Sequence, residues 1–315
     1  MKRRYRLLLL AVAVLGLPYY WLVLDNSVSG VPAYRLDIAQ LRQAAGAIPG
    51  ARPDSVTVQV VGWRRVPGTL MVAGGGLKRN LVAVQSFLLH APGGNIVIDS
   101  GFDAAAARSM DMEKFLPAAQ AKVDAAIRDA RLVLFTHEHL DHMTGLLRMK
   151  DFASVAPHVL VTPEQGPGGP LARSLPWPRD TGRLVPRKLA PVQPVAPGVV
   201  VVRTPGHTPG SQMIFARLAD GSEYLFAGDT ASMRRNWSLK RLRSRLLSDY
   251  LAPEDRPQVM GWLRAINDLF RQDPGLIVVS GHDYDDLVTD PTKRAFREDF
   301  VTRTVIPRPP GSQLQ

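Results

Sequence analysis

The segment THEHLDH at residues 136–142 constrains this chain more than any other part of its sequence. It places three histidines and one aspartate within six positions, directly after the apolar run RLVLF at residues 131–135. A run of this kind predicts a buried strand, so the histidines fall where the strand ends. Imidazole and carboxylate together suit zinc, manganese or iron, whereas calcium and magnesium are held by oxygens alone. The segment therefore predicts a metal site.

A histidine at a strand end can also be an ordinary polar residue. Here three of the seven histidines of the chain lie in one short segment, which favours the metal site. The segment is not the HExxH motif of helical zinc proteases, because the residue four positions after His137 is Asp141.

Composition limits the class of protein and the kind of metal ligand. A chain of 315 residues with 45% hydrophobic residues can bury a full core, as one large domain or two small ones. It contains no cysteine, so disulfides are excluded and any metal must be held by nitrogen and oxygen. The lack of cysteine does not identify the compartment. The net charge of +11 favours anionic partners, although a diffuse positive charge more often confers only solubility.

The N-terminus has the pattern of a targeting or anchoring segment. Four basic residues precede residues 7–24, which carry no formal charge and have aromatics near their far end. We therefore expect residues 1–33 to form a signal or anchor segment. An anchor is favoured over a cleaved signal peptide, because the small-residue site at 31–33 is poor; a buried core helix is the other alternative. The positive-inside rule then places the rest of the chain at the periplasmic face of the inner membrane, anchored or secreted after cleavage.

Beyond this segment we expect a linker with one short helix at residues 34–55 and a single folded domain at residues 56–315. Alternating apolar residues predict strands over residues 56–66, 69–73, 81–91 and 95–101, with the glycines 74–76 as a mobile hairpin tip. A helix over residues 104–129 should be interrupted at Pro117.

The second half of the chain continues the pattern of short strands. Residues 157–197 contain ten prolines, which excludes a long helix or a central strand and indicates edge strands and loops at a substrate rim. The other predicted elements are a helix at 144–150, strands at 199–211, 212–218 and before 227–231, a helix at 258–270 and a strand at 276–283.

A ligand-type residue follows an apolar strand at five points along the chain: Asp99, the HEHLDH segment, His207, Asp229 and His282. In layered α/β architectures such strand ends lie along one edge of the sheets, where loops converge and ligands bind. These residues are therefore expected to meet there.

Over residues 81–283, the ordered set of these motifs resembles the metallo-β-lactamase superfamily of metallohydrolases. The resemblance implies a four-layer αββα sandwich, with two mixed sheets flanked by helices, so that residues 56–315 would be a hydrolase domain of this kind. It also implies two divalent metal ions, zinc in the first place and manganese or iron as alternatives. The ligands implied are His137, His139 and His207 for the first ion, Asp141, His142 and His282 for the second, and Asp229 as a bridge.

The resemblance assigns roles to three aspartates. Asp99 matches the aspartate that supports a ligand histidine from outside the ligand set and fixes its tautomer. Two divalent ions that share a hydroxide lower its pKa into the neutral range and polarise the bond to be cleaved. Asp229 would offset the charge of both ions, and Asp141 could also transfer a proton. Asp141 and Asp229 are therefore the predicted catalytic residues.

Three other polar residues have milder interpretations. Glu138 lies between two predicted ligands and should point away from them, into a salt bridge. His90 and His158 are expected to be surface or core-edge histidines.

The sequence favours a lactone or a related ester as the small-molecule substrate. The strings QSFLLHAPGGNIVIDSG, TPGHTPGSQ and GDTASMRRNW resemble the N-acyl-homoserine lactonase branch. The absence of cysteine excludes penicillin-cleaving relatives with a cysteine ligand, and Asp229 argues against the other β-lactamases. A tyrosine often contacts the lactone carbonyl in that branch, and neither Tyr224 nor Tyr284 lies in a matching context.

The strongest cluster of positive charge is the segment at residues 233–247, MRRNWSLKRLRSRLL. If it is helical, Leu239, Leu242 and Leu246 share one face, as in a surface helix that meets anionic lipid. It could also form a positive rim at the site or an ordinary solvated helix. Partners are thus inner-membrane lipid, through residues 7–24 and this segment, while the export signal disfavours nucleic acid.

The same ligand residues are compatible with other functions. A phosphodiesterase or thioesterase of the same superfamily would use the same ligands on another substrate. A redox diiron protein fits the ligand set too, although nothing indicates an adjoining flavin domain. The complete ligand set disfavours a binding module that has lost catalysis.

Overall fold

The computed structural model of the protein describes residues 12–290, together with Tyr5, Leu10, Thr292 and Lys293. Parts of the expected signal or anchor segment 1–33 and of the expected domain 56–315 therefore lie outside the described residues.

Two mixed β-sheets pack face to face, and helices cover their outer faces. The first sheet has the strand order β4-β1-β2-β3-β5-β6 and the second β11-β10-β9-β8-β7. The four-layer αββα sandwich implied by the sequence is confirmed. The strands are β1 (Ser55–Pro67), β2 (Arg79–His90), β3 (Ile96–Ile98), β4 (Lys114–Phe115), β5 (Leu132–Leu134), β6 (Val159–Leu160), β7 (Val192–Ala196), β8 (Val199–Arg203), β9 (Gln212–Arg217), β10 (Glu223–Gly228) and β11 (Ile277–Ser280).

The α-helices vary from single turns to five turns. They are α1 (Leu17–Tyr19), α2 (Ile38–Ala45), α3 (Gly68–Met71), α4 (Ala104–Ser109), α5 (Pro117–Asp129), α6 (Leu140–Leu147), α7 (Phe152–Val155), α8 (Arg234–Ser238), α9 (Arg256–Gln272) and α10 (Tyr284–Thr289). Wider π-helical turns occur at Val12–Gly16, Tyr20–Leu24 and Leu246–Leu251, and 3-10 turns at Ala156–His158, Ala172–Ser174 and Asp229–Ala231.

A long antiparallel hairpin of β1 and β2 lies within the first sheet, with Ser55 opposite His90 and Pro67 opposite Arg79. The predicted strand at residues 69–73 is wrong, because residues 68–71 form α3 instead. Since β2 has to run back along β1, the chain must reverse here. The apolar run is used for packing at the reversal, where Met71 lies in a buried cluster with Met233.

The glycines at 74–76 form the turn after α3 and do not project as the free hairpin tip that was expected. The N–H of Gly74 donates to the carbonyl oxygen of Val23 at 3.0 Å, and the N–H of Ala73 donates to that of Leu242 at 2.8 Å. The turn is thereby tied both to the N-terminal segment and to the chain beyond β10.

Three buried clusters hold the layers together. Side chains from both sheets fill the space between them, where the rings of Phe87 and Phe226 lie 4.9 Å apart between centroids. One further cluster joins the first sheet to α4, α5 and α6, and another joins the second sheet to α2 and α9. Each large apolar side chain buried in this way contributes about 1.5–3 kcal/mol to folding.

The structural effects predicted for proline are seen in two regions. Pro117 lies in the first turn of α5, where its missing N–H costs no hydrogen bond, so the helix predicted at 104–129 is divided into α4 and α5. Residues 157–197 contain only the short strands β6 and β7, the end of the 3-10 turn Ala156–His158 and the 3-10 turn Ala172–Ser174. The prediction of edge strands and loops is confirmed there.

The chain between the N-terminal turns and β1 packs against the second sheet and its helices. Asp25 is 5% exposed, and the ring of Tyr34 stacks on that of Trp262 at 3.8 Å between centroids. Asp37 caps α2 by accepting the N–H of Ala39 at 2.8 Å, which confirms the short helix predicted in this region. Within the described part of the chain, no helix combines the length and the hydrophobicity that crossing a membrane requires.

The basic segment at residues 233–247 is not one amphipathic helix. Helix α8 ends at Ser238, and Lys240 adopts a left-handed φ of 51°, which terminates the helix much as a glycine would. Leu239 is then 52% exposed, whereas Leu242 is fully buried. The two leucines therefore do not share an apolar face.

All six cations of this segment contact other parts of the protein. Four of them bond to backbone oxygens or side chains of the surrounding loops and helices, and two enter ion pairs in the interior. The partners are Asp286 for Arg234, Gly75 for Arg235, Asn267 for Lys240, Ala73 for Arg241, Glu254 for Arg243 and Asp25 for Arg245.

Parallel pairing brings the ligand-bearing strand ends to one edge of the sandwich. β3 and β5 are parallel neighbours in the first sheet, and β10 and β11 are parallel neighbours in the second. The C-terminal ends of β3 and β5 therefore lie at the same edge of the first sheet, and those of β10 and β11 lie at the same edge of the second. The contact between the two edges is direct, since Val82 of β2 forms a bridge with Asp283 after β11.

Candidate metal centre

The seven residues predicted as metal ligands come together at this edge, although they belong to both sheets. Four lie in the loop after β5 and the first turn of α6, and the other three follow β8, β10 and β11. Their nitrogen and oxygen atoms form three overlapping groups, each within 4.8 Å. The groups are His137, His139 and His207; His137, His142 and Asp229; and Asp141, His142 and His282.

Three histidines form the first side of the cluster. His139 Nδ1 lies 3.1 Å from His137 Nε2 and 3.1 Å from His207 Nε2. All three lone pairs thus face a common point, which is the arrangement that one metal ion requires.

The second side of the cluster is formed by two histidines and a carboxylate. Asp141 Oδ2 lies 3.6 Å from His142 Nε2 and 3.5 Å from His282 Nε2. His142 Nε2 is buried and has no hydrogen-bond partner in the described chain, which is costly unless a cation occupies the space in front of it.

Asp229 lies between the two sides. Its Oδ2 is 3.5 Å from His207 Nε2, and its Oδ1 is 3.0 Å from His282 Nε2. One oxygen of the carboxylate therefore faces each side of the cluster, which is the placement that a bridging ligand needs.

Two residues with positive φ, Gly228 and Asp99, set the backbone geometry around the cluster. Gly228 has a φ of 51°, and a Cβ at this position would lie 2.5 Å from the Cβ of Thr136, so the turn before Asp229 admits only glycine. Asp99 has a φ of 60°, a conformation that costs a non-glycine residue about 1–3 kcal/mol. Such strain at a site indicates that the surrounding bonds fix the residue.

The side chain of Asp99 also orients a predicted ligand, His142. Its Oδ1 accepts the N–H of Thr136 at 2.7 Å, and its Oδ2 accepts the hydroxyl of Thr136 at 2.8 Å. Oδ2 also lies 2.9 Å from Nδ1 of His142. Asp99 therefore lies beside the ring nitrogen of His142 that faces away from the cluster.

The other histidines are oriented by partners that sequence reasoning missed. His282 Nδ1 lies 2.8 Å from the carbonyl oxygen of Ala83, and His207 Nδ1 lies 3.2 Å from Glu254 Oε2. No signal in the sequence identifies these partners, because each is far from its histidine along the chain.

Glu138 joins two of the ligand loops. It is fully buried and accepts the hydroxyl of Thr208 at 2.7 Å and the N–H of Gly210 at 2.8 Å. The salt bridge predicted for Glu138 is wrong, because its partners are neutral groups of the loop that carries His207. The side chain does point away from the cluster.

The pKa shifts reflect dense packing of the ligands. Burial, followed by the proximity of His207, lowers the pKa of His139 to about 3, so this imidazole is neutral and can offer a lone pair. Burial would raise the pKa of Asp229, but His282 and His207 hold it well below its usual range. Burial would lower the pKa of His142, but Asp141 and Asp99 raise it to about 10.

Together these shifts describe buried carboxylates that stay ionised, with a neutral imidazole at His139 and a protonated one at His142. Two carboxylates and five imidazoles with no thiolate are hard and borderline donors, the set that suits zinc, manganese or iron. The donor set and the orphaned His142 Nε2 fit divalent cations.

Access to the cluster is from one side. His139 and Asp141 are partly exposed, whereas the other five predicted ligands are buried. A cavity of about 540 Å³ lies beside the loop of His207; its lining includes Glu164 and Gln258 but neither His139 nor Asp141. This size suits a small molecule.

Residues outside the cluster agree with their milder interpretations. His90 pairs with Thr57 at 3.0 Å and His158 is exposed, and neither belongs to a metal-ligand group in the described chain. Tyr224 lies in the core between the sheets, 3% exposed, while Tyr284 packs beside a cluster around Trp63.

The sequence model of the metallo-β-lactamase superfamily matches residues 79–282. No curated protein sequence matches the chain. Among solved structures, similar folds include an N-acyl homoserine lactone hydrolase with the product N-hexanoyl-L-homoserine at its catalytic metal centre, at 15% identity over 75% of this chain and 95% of that chain, with a TM-score of 0.57. A quorum-quenching N-acyl homoserine lactone hydrolase is 15% identical over 76% of this chain and 96% of that one, with a TM-score of 0.57.

A third structure, described as a probable metal-dependent hydrolase from Staphylococcus aureus, is 16% identical over 74% of this chain and 91% of that chain, with a TM-score of 0.56. At these identities the likeness shows a shared fold.

Proposed function

Since this chain belongs to the metallo-β-lactamase superfamily, we propose that it is a hydrolase with a dinuclear metal centre, and that it opens a lactone or a related ester. The observation that carries the proposal is the placement of Asp229 between two groups of three donors, with one carboxylate oxygen toward each. A single ion would leave one of the groups without a cation.

In this proposal one ion would be held by His137, His139 and His207, and the other by Asp141, His142 and His282. Asp229 binds both. Zinc is the proposed ion because imidazole and carboxylate donors suit it, and manganese or iron would fit the same donors. When bound, the two ions would supply a hydroxide nucleophile near neutral pH and polarise the carbonyl oxygen of the substrate.

Three aspartates of the protein would transfer the proton, balance the charge of the ions and orient a ligand. Asp141 is partly exposed on the open side of the cluster, where a carboxylate oxygen can hold a proton and return it to the leaving alkoxide. Asp229 is 7% exposed and lies deeper, so it serves to balance charge and fix spacing. Asp99 holds His142 in the orientation that turns Nε2 toward the cluster.

The choice of a lactone is supported by the family strings around the ligands and by the named activity of two structures of similar fold. A shared fold does not identify the substrate, so a substrate panel has to decide between the candidates. A phosphodiester or a thioester is the alternative substrate of the same centre. A diiron redox protein would instead consume oxygen in an iron-dependent manner.

We further propose that residues 7–24 tether the protein to the inner membrane, with the domain on the periplasmic side. The basic residues before this segment and the apolar composition within it support the proposal. Residues 233–247 are not assigned to lipid, because their cations are bonded to the protein. A reporter enzyme fused after Asp25 would test the topology, and cytoplasmic activity of the reporter would contradict it.

The hydrolase proposal is tested by metal analysis and a substrate panel on the full chain in detergent. We expect hydrolysis of acyl-homoserine lactones that a chelator abolishes and zinc restores. His137→Ala and Asp229→Ala should each lower the rate by more than about 100-fold, the upper end of the loss caused by removing an outer partner alone. His90→Gln is the matched control outside the cluster and should keep full activity.

Full activity in both cluster variants would overturn the metal mechanism. If the protein cleaves phosphodiesters or thioesters and not lactones, the proposed metal centre stands and the proposed substrate is wrong.

A further inference from the structure

Arg243 is a buried cation within reach of the metal centre. Its side chain is 8% exposed, and Nη1 lies 3.6 Å from Asp229 Oδ2. Arginine stays charged at any accessible pH, so its burial requires paired carboxylates. The residue belongs to the basic segment but faces the interior, unlike a cation that binds lipid.

Glu254 is the principal partner of Arg243. Its side chain has no exposed surface, and its Oε2 accepts from both Nε, at 3.1 Å, and Nη2 of the guanidinium. The same oxygen lies 3.2 Å from His207 Nδ1, and Arg243 Nη2 also contacts that nitrogen. One carboxylate oxygen therefore serves both the arginine and a predicted metal ligand.

The tautomer of His207 is fixed by its metal-facing side and by Glu254, and not by Arg243 Nη2, which can only donate a hydrogen bond. Its Nε2 faces His139 and Asp229, so a metal-binding ring must carry its proton on Nδ1. Nδ1 can then donate to Glu254, which orients the ring and raises the basicity of Nε2. Asp99 has the equivalent position beside His142, on the other side of the cluster.

We propose that Arg243 and Glu254 form a positioning pair that fixes His207 and Asp229 and thereby sets the affinity of the first metal position, as Asp99 does for the second. The inference rests on the proposed dinuclear function. It deepens that proposal by assigning an outer partner to each position. Arg243 contributes through its contacts to Glu254 and Asp229 and is not itself a ligand.

The pair explains why two charged residues are buried at a site that binds cations. Without Arg243, the carboxylate of Glu254 would be buried with no cation to neutralise it. Without Glu254, the guanidinium would lie against His207 and near the first ion, where it would repel that ion. Each residue is thus needed to make the other compatible with a bound metal.

The test measures metal affinity at each position. Metal-free protein is titrated with zinc against a chromophoric chelator, which gives two binding steps for the wild type. His139→Ala removes a ligand of the first position alone and His282→Ala one of the second, so these variants assign the steps. Glu254→Gln and Arg243→Lys are then titrated in the same way, with circular dichroism and thermal melts to confirm folding.

We expect Glu254→Gln and Arg243→Lys to weaken the first step by about 10–100-fold, the usual cost of losing an outer partner, and to leave the second within about 3-fold. Asp99→Asn should weaken the second step instead. Asp151→Asn and Arg128→Lys are matched controls, since they alter an ion pair of 2.6 Å that touches no predicted ligand, and both steps should be unchanged.

Two results would overturn the inference. If folded Glu254→Gln binds both ions as the wild type does, the pair does not set the affinity, and the same holds if both steps weaken equally. If Arg243→Lys does not fold, Glu254→Gln alone decides. A wild-type protein that binds fewer than two ions would instead overturn the proposed function, and the inference with it.

Discussion

Ala83 and His282 are joined by two hydrogen bonds: the N–H of Ala83 donates to the carbonyl oxygen of His282 at 3.1 Å, and Nδ1 of His282 lies 2.8 Å from the carbonyl oxygen of Ala83. Ala83 belongs to the first sheet, whereas His282 follows the last strand of the second. The ring of His282 is therefore oriented by backbone of the opposite sheet, and its orientation depends on how the sheets pack.

His282→Ala should release the second ion and keep the first, because the first group of donors does not include His282. The rate of hydrolysis should fall by more than about 100-fold. Metal content measured by atomic emission, alongside activity, checks both parts. His158→Ala is a control on an exposed histidine and should retain both ions.

Glu138→Ala should destabilise the fold without removing a ligand. The N–H of Gly210 would be left buried without an acceptor, and the hydroxyl of Thr208 would keep only Ser211 Oγ, at 2.8 Å. The expected cost is about 1–3 kcal/mol in the free energy of unfolding. Urea denaturation of metal-free protein gives this value directly. Glu138→Gln keeps one acceptor oxygen and should lose less; an equal loss in both variants would count against the hydrogen bonds as the cause.

Removal of metal should lower thermal stability. An ion that binds only the folded state at a thousand times its dissociation constant adds about 4 kcal/mol to the free energy of unfolding. The melting temperature should therefore fall on chelation and recover with zinc. His137→Ala should show a much smaller shift, and a wild-type melting temperature that does not respond to chelation would contradict the predicted site.

The ion pair of Asp25 and Arg245, at 2.7 Å, predicts a dependence of stability on pH. Burial would raise the pKa of Asp25, but hydrogen bonds from Ser27 and Arg245 hold it below its ordinary value. Its stabilising contribution is therefore present above the unfolded pKa of about 3.9 and is lost as pH falls through the folded pKa.

Asp25→Asn should accordingly destabilise the protein by about 1 kcal/mol at pH 7, and by less as pH falls below about 4. Urea midpoints of both proteins at several pH values measure the difference. If the difference stays constant down to pH 3, the loss comes from packing and not from charge.

The clustering of the predicted ligands could be foreseen because the segments that carry them follow strand ends. Short apolar runs before Asp99, His137 and Asp229 identified the strands, and the parallel pairs β3/β5 and β10/β11 bring those ends to one edge. Metal ligands of this kind leave a local signal in the sequence. The geometry of the cluster follows from the topology of the sheets.

The elements that were wrong depend on contacts that are distant along the chain. Residues 69–73 have the composition of a strand, and only the need to reverse between β1 and β2 makes them helical. Lys240 ends the helical segment in a left-handed conformation although it is not a glycine. Arg243 points into the interior because Glu254 accepts hydrogen bonds from its guanidinium there. Neither the reversal nor the ion pair can be read from periodicity.

The division of the ligands between the two sheets has a mechanical consequence. His137 and His139 follow a strand of the first sheet, whereas His207 follows a strand of the second, so an ion held by all three would fasten one sheet to the other. The chain has no cysteine with which to make a covalent cross-link. A bound metal ion would thus act as a reversible cross-link between the two sheets. Metal loading should therefore slow unfolding of the protein in addition to supporting hydrolysis.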